Sequence, residues 1–162
     1  FLTISPLEIS TKNQHRYGDI FLPPDNRSEL IPVKVSWYGR EFHGKVTASG
    51  EIFNMRSVSV AHVSLPFGTK VRFLNLINER QCDAIVNDSG PFNPTKLPTL
   101  DPHPKRQFDA SLALAECLGF VEEGVMDLYV TGIPGENPIT RTDIYAEKVL
   151  QSNKRFSLLS TD

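Results

Sequence analysis

Short runs of apolar, β-branched and aromatic residues recur through the middle of the chain, each bounded by Gly, Pro or Asn. Runs of this length and composition are typical of β-strands. Several of them at close spacing, with turn residues between, predict a small barrel. The predicted strands are Val33–Tyr38, Lys70–Leu76, Gln81–Val86 and Met126–Val130.

Two segments between these strands predict short helices. Ser57–His62 has room for a turn or two before Pro66, which cannot continue a helix. In Asp109–Leu118 the leucines and alanines at helical spacing share one face. Asp109 is a suitable N-cap, and Gly119 stands where helices commonly end.

The remaining segments carry weaker signals. Residues 1–34 show no sustained period and predict an arm or extension. The stretch Gly90–Lys105 holds five of the twelve prolines, and a loop of this length without secondary structure is often functional. Near the end of the chain, Thr140 and Asp143 match a capping box, which predicts a helix through about Leu150.

Composition narrows the classes of function. The 162 residues predict one domain with a real core, and 40% hydrophobic content is too apolar for general disorder. A net charge of −2 argues against broad binding of nucleic-acid phosphates. No apolar run approaches the length of a membrane span, and no export signal is visible in the first ten residues.

Two cysteines, Cys82 and Cys117, are too few and too far apart for a zinc site or a redox CxxC motif. The simplest interpretation makes each a small buried hydrophobic residue. A disulfide between them is the alternative in an oxidising compartment.

The strongest chemical candidate is Asp88, which follows the apolar run Ala84–Val86 and precedes a Gly-Pro turn. Partial desolvation at such a strand end favours the protonated form of a carboxyl group, which can then donate a proton. The alternative is an Asx motif in which the side chain bonds its own turn. His62 and Glu51 are weaker candidates: singly, they suit a structural histidine and a solvated loop acid.

These fragments become specific when they are taken together. In order and spacing they closely resemble the rare lipoprotein A (RlpA) family, bacterial cell-envelope proteins with a double-psi β-barrel. The resemblance covers Val35–Ile133, and its motifs are Ser36–Gly39, Phe42–Gly44, Thr47–Met55, Ala61–His62, Leu65–Thr69, Asn87–Asp88, Gly90–Phe92 and Arg106 followed by Asp109–Ser111.

The resemblance implies a lytic transglycosylase that cleaves the MurNAc–GlcNAc bonds of peptidoglycan, on strands stripped of stem peptides, to 1,6-anhydro products. Its catalytic residues map to Asp88 as general acid and base, His62 as the residue that positions it, and Glu51 in the same cleft. No cofactor and no metal are expected. The expected substrate-binding residues are Trp37, Tyr38, Phe53, Ser89 and Phe92.

The resemblance also implies an organisation and a location. The fold class is mainly β, a six-stranded double-psi barrel with one or two short helices and extra terminal segments. The expected division is an arm at 1–34, the barrel at 35–133 and a partly helical extension at 134–162. The expected partners are peptidoglycan glycan strands and no nucleic acid. The expected location is the periplasm or the outer-membrane side of the envelope, with a lipoprotein anchor outside this chain as one means of attachment.

The chain departs from the family pattern at three places. One is that no C-terminal peptidoglycan-binding SPOR domain is expected in the residues after Ile133. Ser89 replaces the Arg usual after the motif aspartate, which removes a planar cation from the site. The proline-rich stretch Asn93–Lys105 is longer than usual and is expected to add a wall to the groove or to cover part of it.

Three other functions fit parts of the sequence. Expansin-like barrels bind or loosen polysaccharide without evident cleavage, and the same groove would serve that role. The string Asp88-Ser89-Gly90 matches the active-site loop of aspartic proteases, although Pro91 follows where a small residue is usual. An inverting glycan hydrolase would need a second carboxylate as base, for which Asp101 and Asp109 are candidates.

Overall fold

The computed structural model of the chain describes Arg16–Tyr17, Ile20–Phe21 and residues 29–145. Its strands are β1 (Arg16–Tyr17), β2 (Ile20–Phe21), β3 (Ile31–Tyr38), β4 (Ser59–Ala61), β5 (Lys70–Asn75), β6 (Arg80–Asp88), β7 (Phe108–Ser111) and β8 (Val125–Thr131). The α-helices are α1 (Leu112–Leu118) and α2 (Arg141–Ile144), and the 3-10 turns are Arg40–Phe42 and Pro94–Lys96.

Six strands close into a barrel in the order β3-β7-β4-β6-β5-β8, while β1 and β2 form a two-stranded antiparallel sheet. Two barrel pairs, β3 with β7 and β4 with β6, are parallel. The other four pairs are antiparallel. The predicted class, a mainly β six-stranded barrel with short helices, is confirmed.

Alternation along the strands places the core inside the barrel. In β3, Ile31, Val33 and Val35 are buried while Pro32 is exposed, as expected for a strand with one face toward the core. β6 follows the same rule, with alternate residues buried along the strand. At the centre, the rings of Phe73 and Phe108 meet edge to face at 5.0 Å, and both side chains are fully buried.

The helix predicted at Ser57–His62 is wrong, because the structure has the strand β4 there. All three residues of β4 are buried, and the strand lies between β6 and β7. A helix in this place would leave the backbone groups of both neighbours unpaired inside the protein. Three residues are too few to show the alternation by which a strand is recognised in a sequence.

The helix predicted at Asp109–Leu118 begins later than expected. Residues 108–111 form β7, and the N-cap is Ser111, whose side chain accepts a hydrogen bond from the Leu114 N–H. Asp109 instead lies in the strand, directly opposite Ser36 of β3. Gly119 does end the helix, with a φ of 79° that favours glycine.

The start of the barrel domain differs from the prediction, and the segment after the barrel agrees with it in part. β3 begins at Ile31, two residues before the strand predicted at Val33–Tyr38 and inside the segment 1–34 that was expected to be an arm. The capping box of Thr140 and Asp143 is present at the start of α2, and Ile144 packs into the core. The remainder of the predicted helix, to Leu150, lies outside the described residues. No helix in the described part of the chain is long and apolar enough to cross a membrane.

A disulfide joins Cys82 of β6 to Cys117 of α1. The expectation that each cysteine is a small buried residue therefore holds for Cys82, which is 6% exposed and belongs to the core. It does not hold for Cys117, which is exposed. The bond ties the helix to the barrel wall across a sequence separation of 35 residues.

We expect replacement of both cysteines by alanine to lower the free energy of unfolding by about 3–4 kcal/mol, from the loop-closure entropy of a ring this size. Urea denaturation followed by circular dichroism measures the loss, and reduction of the unmodified protein is the matched control. An unchanged unfolding midpoint in both would contradict the structural role of the bond.

Candidate active site

Asp88 is the last residue of β6, at one end of the barrel, and it is half-buried. Its Oδ1 accepts hydrogen bonds from the backbone N–H groups of Ala48 and Ser89, both at 2.9 Å. Its Oδ2 accepts a longer bond, 3.4 Å, from the Tyr38 hydroxyl. Three neutral donors on three different segments thus orient this carboxyl group.

Glu51 lies at the same end of the barrel, on a loop held by a 2.7 Å bond from the Thr47 N–H to the Glu51 carbonyl. Its Oε1 accepts a hydrogen bond from the Asn87 side-chain amide at 3.2 Å. Since Asn87 precedes Asp88 and Ala48 of the same loop donates to Asp88, the structure brings the two acids together. Glu51 is exposed and faces solvent, as a groove residue must.

His62 reaches Asp88 through its backbone. Its N–H donates to the Asp88 carbonyl at 3.2 Å, next to the β-bulge that pairs Ala61 with Asp88. The imidazole is 1% exposed, and both ring nitrogens have other partners. Nδ1 accepts from the N–H groups of Ser64 and Leu65, so Nε2 carries the proton and donates to the Ile144 carbonyl at 2.9 Å.

Burial lowers the pKa of His62 to about 4, although its bond to Ile144 and the charge of Asp143 act in the opposite direction. The ring is therefore neutral at pH 7 and serves as a fixed link between the turn after β4 and α2. From the sequence, His62 was expected either to position Asp88 or to be a structural histidine. In the structure the ring is buried and bonds Ser64, Leu65 and Ile144, and the bond to Asp88 comes from the His62 backbone.

Of the aromatic residues predicted to bind substrate, Tyr38 lies beside Asp88, and the others pack against neighbouring parts of the protein. Tyr38 stacks on Phe53 with ring centroids 4.6 Å apart, and Phe53 is buried at 2% exposure beneath it. Trp37 packs against the core and donates its indole N–H to the Val121 carbonyl at 3.1 Å. Phe92, half-buried, bridges to Pro102 in the proline-rich loop.

Exposed aromatic surface at this end comes from a residue that was not predicted to bind substrate. Phe42 is 45% exposed and meets Tyr38 edge to face at 5.4 Å. Tyr38 and Phe42 thus form an aromatic wall beside Asp88. Burial raises the pKa of the Tyr38 phenol, and the nearby carboxylates of Asp88 and Asp109 raise it further.

A second polar cluster adjoins the first and was not assembled from the sequence. The Ser36 hydroxyl donates to Asp109 Oδ1 at 2.5 Å and accepts from Arg106 Nη1 at 2.7 Å. Burial raises the pKa of Asp109, while the bond from Ser36 and the charge of Arg106 oppose the shift. The parallel register of β3 and β7 creates this cluster, because it sets Ser36 against Asp109. Ser36 and Asp109 both lie in motifs of the family, but nothing in the sequence around either residue indicates that they pair.

The arrangement is suited to proton transfer at a polysaccharide groove. An oriented, accessible carboxyl group lies beside an aromatic wall, with a second acid on the adjoining loop. No cluster of three or more potential metal-ligating side chains occurs among residues 29–145.

These features define a small mixed barrel with an oriented carboxyl group and exposed aromatic surface at one end. Residues 32–130 match a family model described as lytic transglycolase. The chain belongs to this family of double-psi β-barrel proteins, the RlpA family.

The curated relatives that it resembles are longer proteins. It is 37% identical over 109 residues to the endolytic peptidoglycan transglycosylase RlpA of Pseudomonas aeruginosa, which covers 67% of this chain and 29% of that protein. It is 38% identical over 122 residues to the protein of the same name from Neisseria meningitidis serogroup A, covering 74% of this chain and 47% of that protein. The chain therefore spans less than half the length of these relatives.

Among solved structures, the Streptomyces papain inhibitor aligns with a TM-score of 0.47 at 19% identity, over 63% of this chain and 92% of that one. A similarity at this level adds nothing to the assignment.

We expect stability to fall as the pH drops from about 6.5 to 4. In this window the unfolded chain protonates His62 and the folded chain does not, because the folded pKa of about 4 lies below the usual 6.5. The loss attributable to this residue is on the order of 3 kcal/mol. Urea denaturation at pH 7 and pH 4.5 measures it.

The variant His62→Asn should unfold more easily at both pH values but with a smaller difference between them. His43→Gln, at an exposed histidine, is the matched control and should keep the full difference. An unaltered pH dependence in His62→Asn would contradict the assignment.

Proposed function

We propose that this chain is a peptidoglycan lytic transglycosylase that cleaves the MurNAc–GlcNAc bond and leaves a 1,6-anhydro end, with Asp88 as both acid and base. The observation that carries the proposal is the Asp88 carboxyl group, oriented by Ala48, Ser89 and Tyr38 at the open end of the barrel. Membership of the lytic transglycolase family and the names of the relatives support it.

The proposed reaction needs one carboxyl group and no water. Asp88 gives its proton to the glycosidic oxygen as the bond to the muramoyl C1 breaks, which releases the GlcNAc end as an alcohol. The resulting carboxylate takes the proton of the muramoyl C6 hydroxyl as that oxygen bonds to C1. The acid is then restored, and the atoms balance without a hydrolytic water, in contrast to the two-carboxylate hydrolases.

The other two residues act around this group. Glu51, fixed next to Asp88 through Asn87, supplies a negative charge that stabilises the positive character developing at C1. His62 is a positioning residue: its N–H holds the Asp88 carbonyl, and its buried ring fixes the turn that follows β4.

The remaining parts of the proposal concern the substrate and the place of action. Strands stripped of stem peptides are the preferred substrate, and the cell envelope, where peptidoglycan lies, is the location. Tyr38 and Phe42 provide the aromatic wall on which sugar rings stack.

We expect Asp88→Asn to lower release of 1,6-anhydro products from denuded glycan roughly 100-fold or more, the usual effect of losing a general acid. Mass spectrometry of soluble products from purified sacculi measures it. Asp83→Asn is the matched control, since Asp83 lies on the same strand but pairs with Arg72 at 2.8 Å away from the groove.

Equal product release by Asp88→Asn and the unmodified chain would refute the role of Asp88. Glycan that is retained by the unmodified chain, with no anhydro product at all, would favour the binding-only, expansin-like function instead.

We expect Tyr38→Phe to lower kcat roughly 3- to 10-fold with little change in the unfolding midpoint. The substitution removes one neutral hydrogen bond to Asp88 and keeps the ring stacked on Phe53. Steady-state rates with denuded strands and a urea denaturation curve together measure the two effects. A change in stability without a change in kcat would show that the hydroxyl has no part in orienting the acid.

A further inference from the structure

A cavity of about 570 Å³ is lined in part by Arg106, which bonds Ser36, and it has no part in the chemistry proposed for Asp88. The proline-rich loop supplies one wall, the residues before β7 a second, and the end of α2 a third. The loop is the stretch that is longer than usual for the family. In the structure it lines this cavity.

The loop is held in shape by its own hydrogen bonds. The Asn93 N–H donates to the Asp101 carbonyl at 2.9 Å, and the Asn93 side chain caps the turn Pro94–Lys96. The His103 N–H donates to the Pro91 carbonyl, also at 2.9 Å. The cavity wall is therefore preorganised, which lowers the entropic cost of binding.

The charged lining is cationic on balance. Lys96 and Arg106 face one carboxylate, Asp101, across the cavity, and His103 is the remaining titratable group apart from Tyr145. Burial lowers the pKa of His103, and the positive charges of Arg106 and Lys105 lower it further, against the opposing charge of Asp109. In the described part of the chain neither Lys96 nor Arg106 takes part in a salt bridge.

Arg106 connects the cavity to the groove. Its Nη1 donates to Ser36, whose hydroxyl bonds Asp109, and the charges of Asp109 and Asp88 both act on Tyr38. Its buried Nε has no hydrogen-bond partner among the described residues. Arg106 therefore links the cavity to the Ser36–Asp109 pair and shares its charge with Asp109. Lys96 is the lining cation that forms no salt bridge and has no such carboxylate linked to it among the described residues.

We propose that this cavity is a subsite for a carboxylate carried by the muramoyl C3 substituent of the glycan strand. A lysine without a salt bridge, with an arginine in the same preformed polar cavity, is suited to bind a carboxylate. Denuded strands carry this carboxylate on the lactyl ether itself, and peptide-bearing strands carry carboxylates on the stem. The proposal rests on the proposed glycan substrate and adds to it a group that neutral polysaccharides lack.

The test uses binding in the non-cleaving Asp88→Asn background, with three soluble probes of equal sugar length. They are a denuded GlcNAc–MurNAc oligosaccharide, the same oligosaccharide with its lactyl carboxylates amidated, and a peptide-bearing one. Isothermal titration calorimetry should give an affinity for the carboxylated denuded probe about 5- to 10-fold higher than for its amide, as one charge-assisted contact provides.

Lys96→Gln should abolish the difference in affinity between the carboxylated and the amidated denuded probes, without lowering the affinity for the amidated probe. Lys96→Arg should restore this difference. Lys96 is exposed, so these variants are expected to fold, and circular dichroism checks this. Lys70→Gln is the matched control, because Lys70 is an exposed lysine that pairs with Glu136 at 3.7 Å away from the cavity. It should leave the difference intact.

If binding of the denuded probe depends on Lys96, the group bound in the cavity is the lactyl carboxylate. If only binding of the peptide-bearing probe depends on Lys96, the bound group is a carboxylate of the stem peptide. Equal affinity for all three probes, an equal loss for all three in Lys96→Gln, or no binding of any probe would overturn the subsite. Carboxylate-dependent binding by a chain that releases no anhydro product would instead refute only the proposed cleavage.

Discussion

The fold and the site both depend on the insertion of β4 between β6 and β7. This three-residue strand makes one parallel and one antiparallel pair, and without it the barrel could not close. Its register shifts at Ala61, so that Asp88 lies opposite the end of the strand. The His62 N–H then fixes the Asp88 carbonyl. The acid is consequently set by buried backbone pairing, and loop contacts from Ala48 and Ser89 only complete its orientation.

Four of the six barrel strands were predictable because each has enough residues to show apolar runs bounded by turns. β4 and β7 were not, since each is short and its residues satisfy a helical pattern equally well. Asp109 is an example of local and tertiary preferences that disagree. Its local sequence suits the N-cap of a helix, but in the structure it lies in β7, which pairs with β3. Tertiary pairing here overrides local propensity, and no window of sequence contains both partners.

In the candidate site too, features marked by a short motif could be predicted, and contacts between residues far apart in the chain could not. Asp88 and Glu51 could be placed in one cleft because the family motifs mark them, and the structure brings them together through Asn87 and Ala48. A structural role for the His62 ring was one of the two expectations, but its partner Ile144 was beyond sequence reasoning, since it is 82 positions away. The cysteine pair is similar, because α1 carries Cys117 back to β6 only once the barrel has formed.

The replacement of the usual Arg by Ser89 changes how charge is distributed around the groove. Among the described residues, the hydrogen-bond donors on the Asp88 carboxyl group are neutral, and Ser89 contributes its backbone N–H. The nearest cation in the polar network is Arg106, which acts on Asp109 through Ser36 and leaves Asp88 without a bound guanidinium. A general acid must release and regain its proton, and a guanidinium paired directly with it would favour the carboxylate. Arg106 lines the cavity and bonds Ser36, so its positive charge lies apart from the Asp88 carboxyl group, which has neutral partners among the described residues.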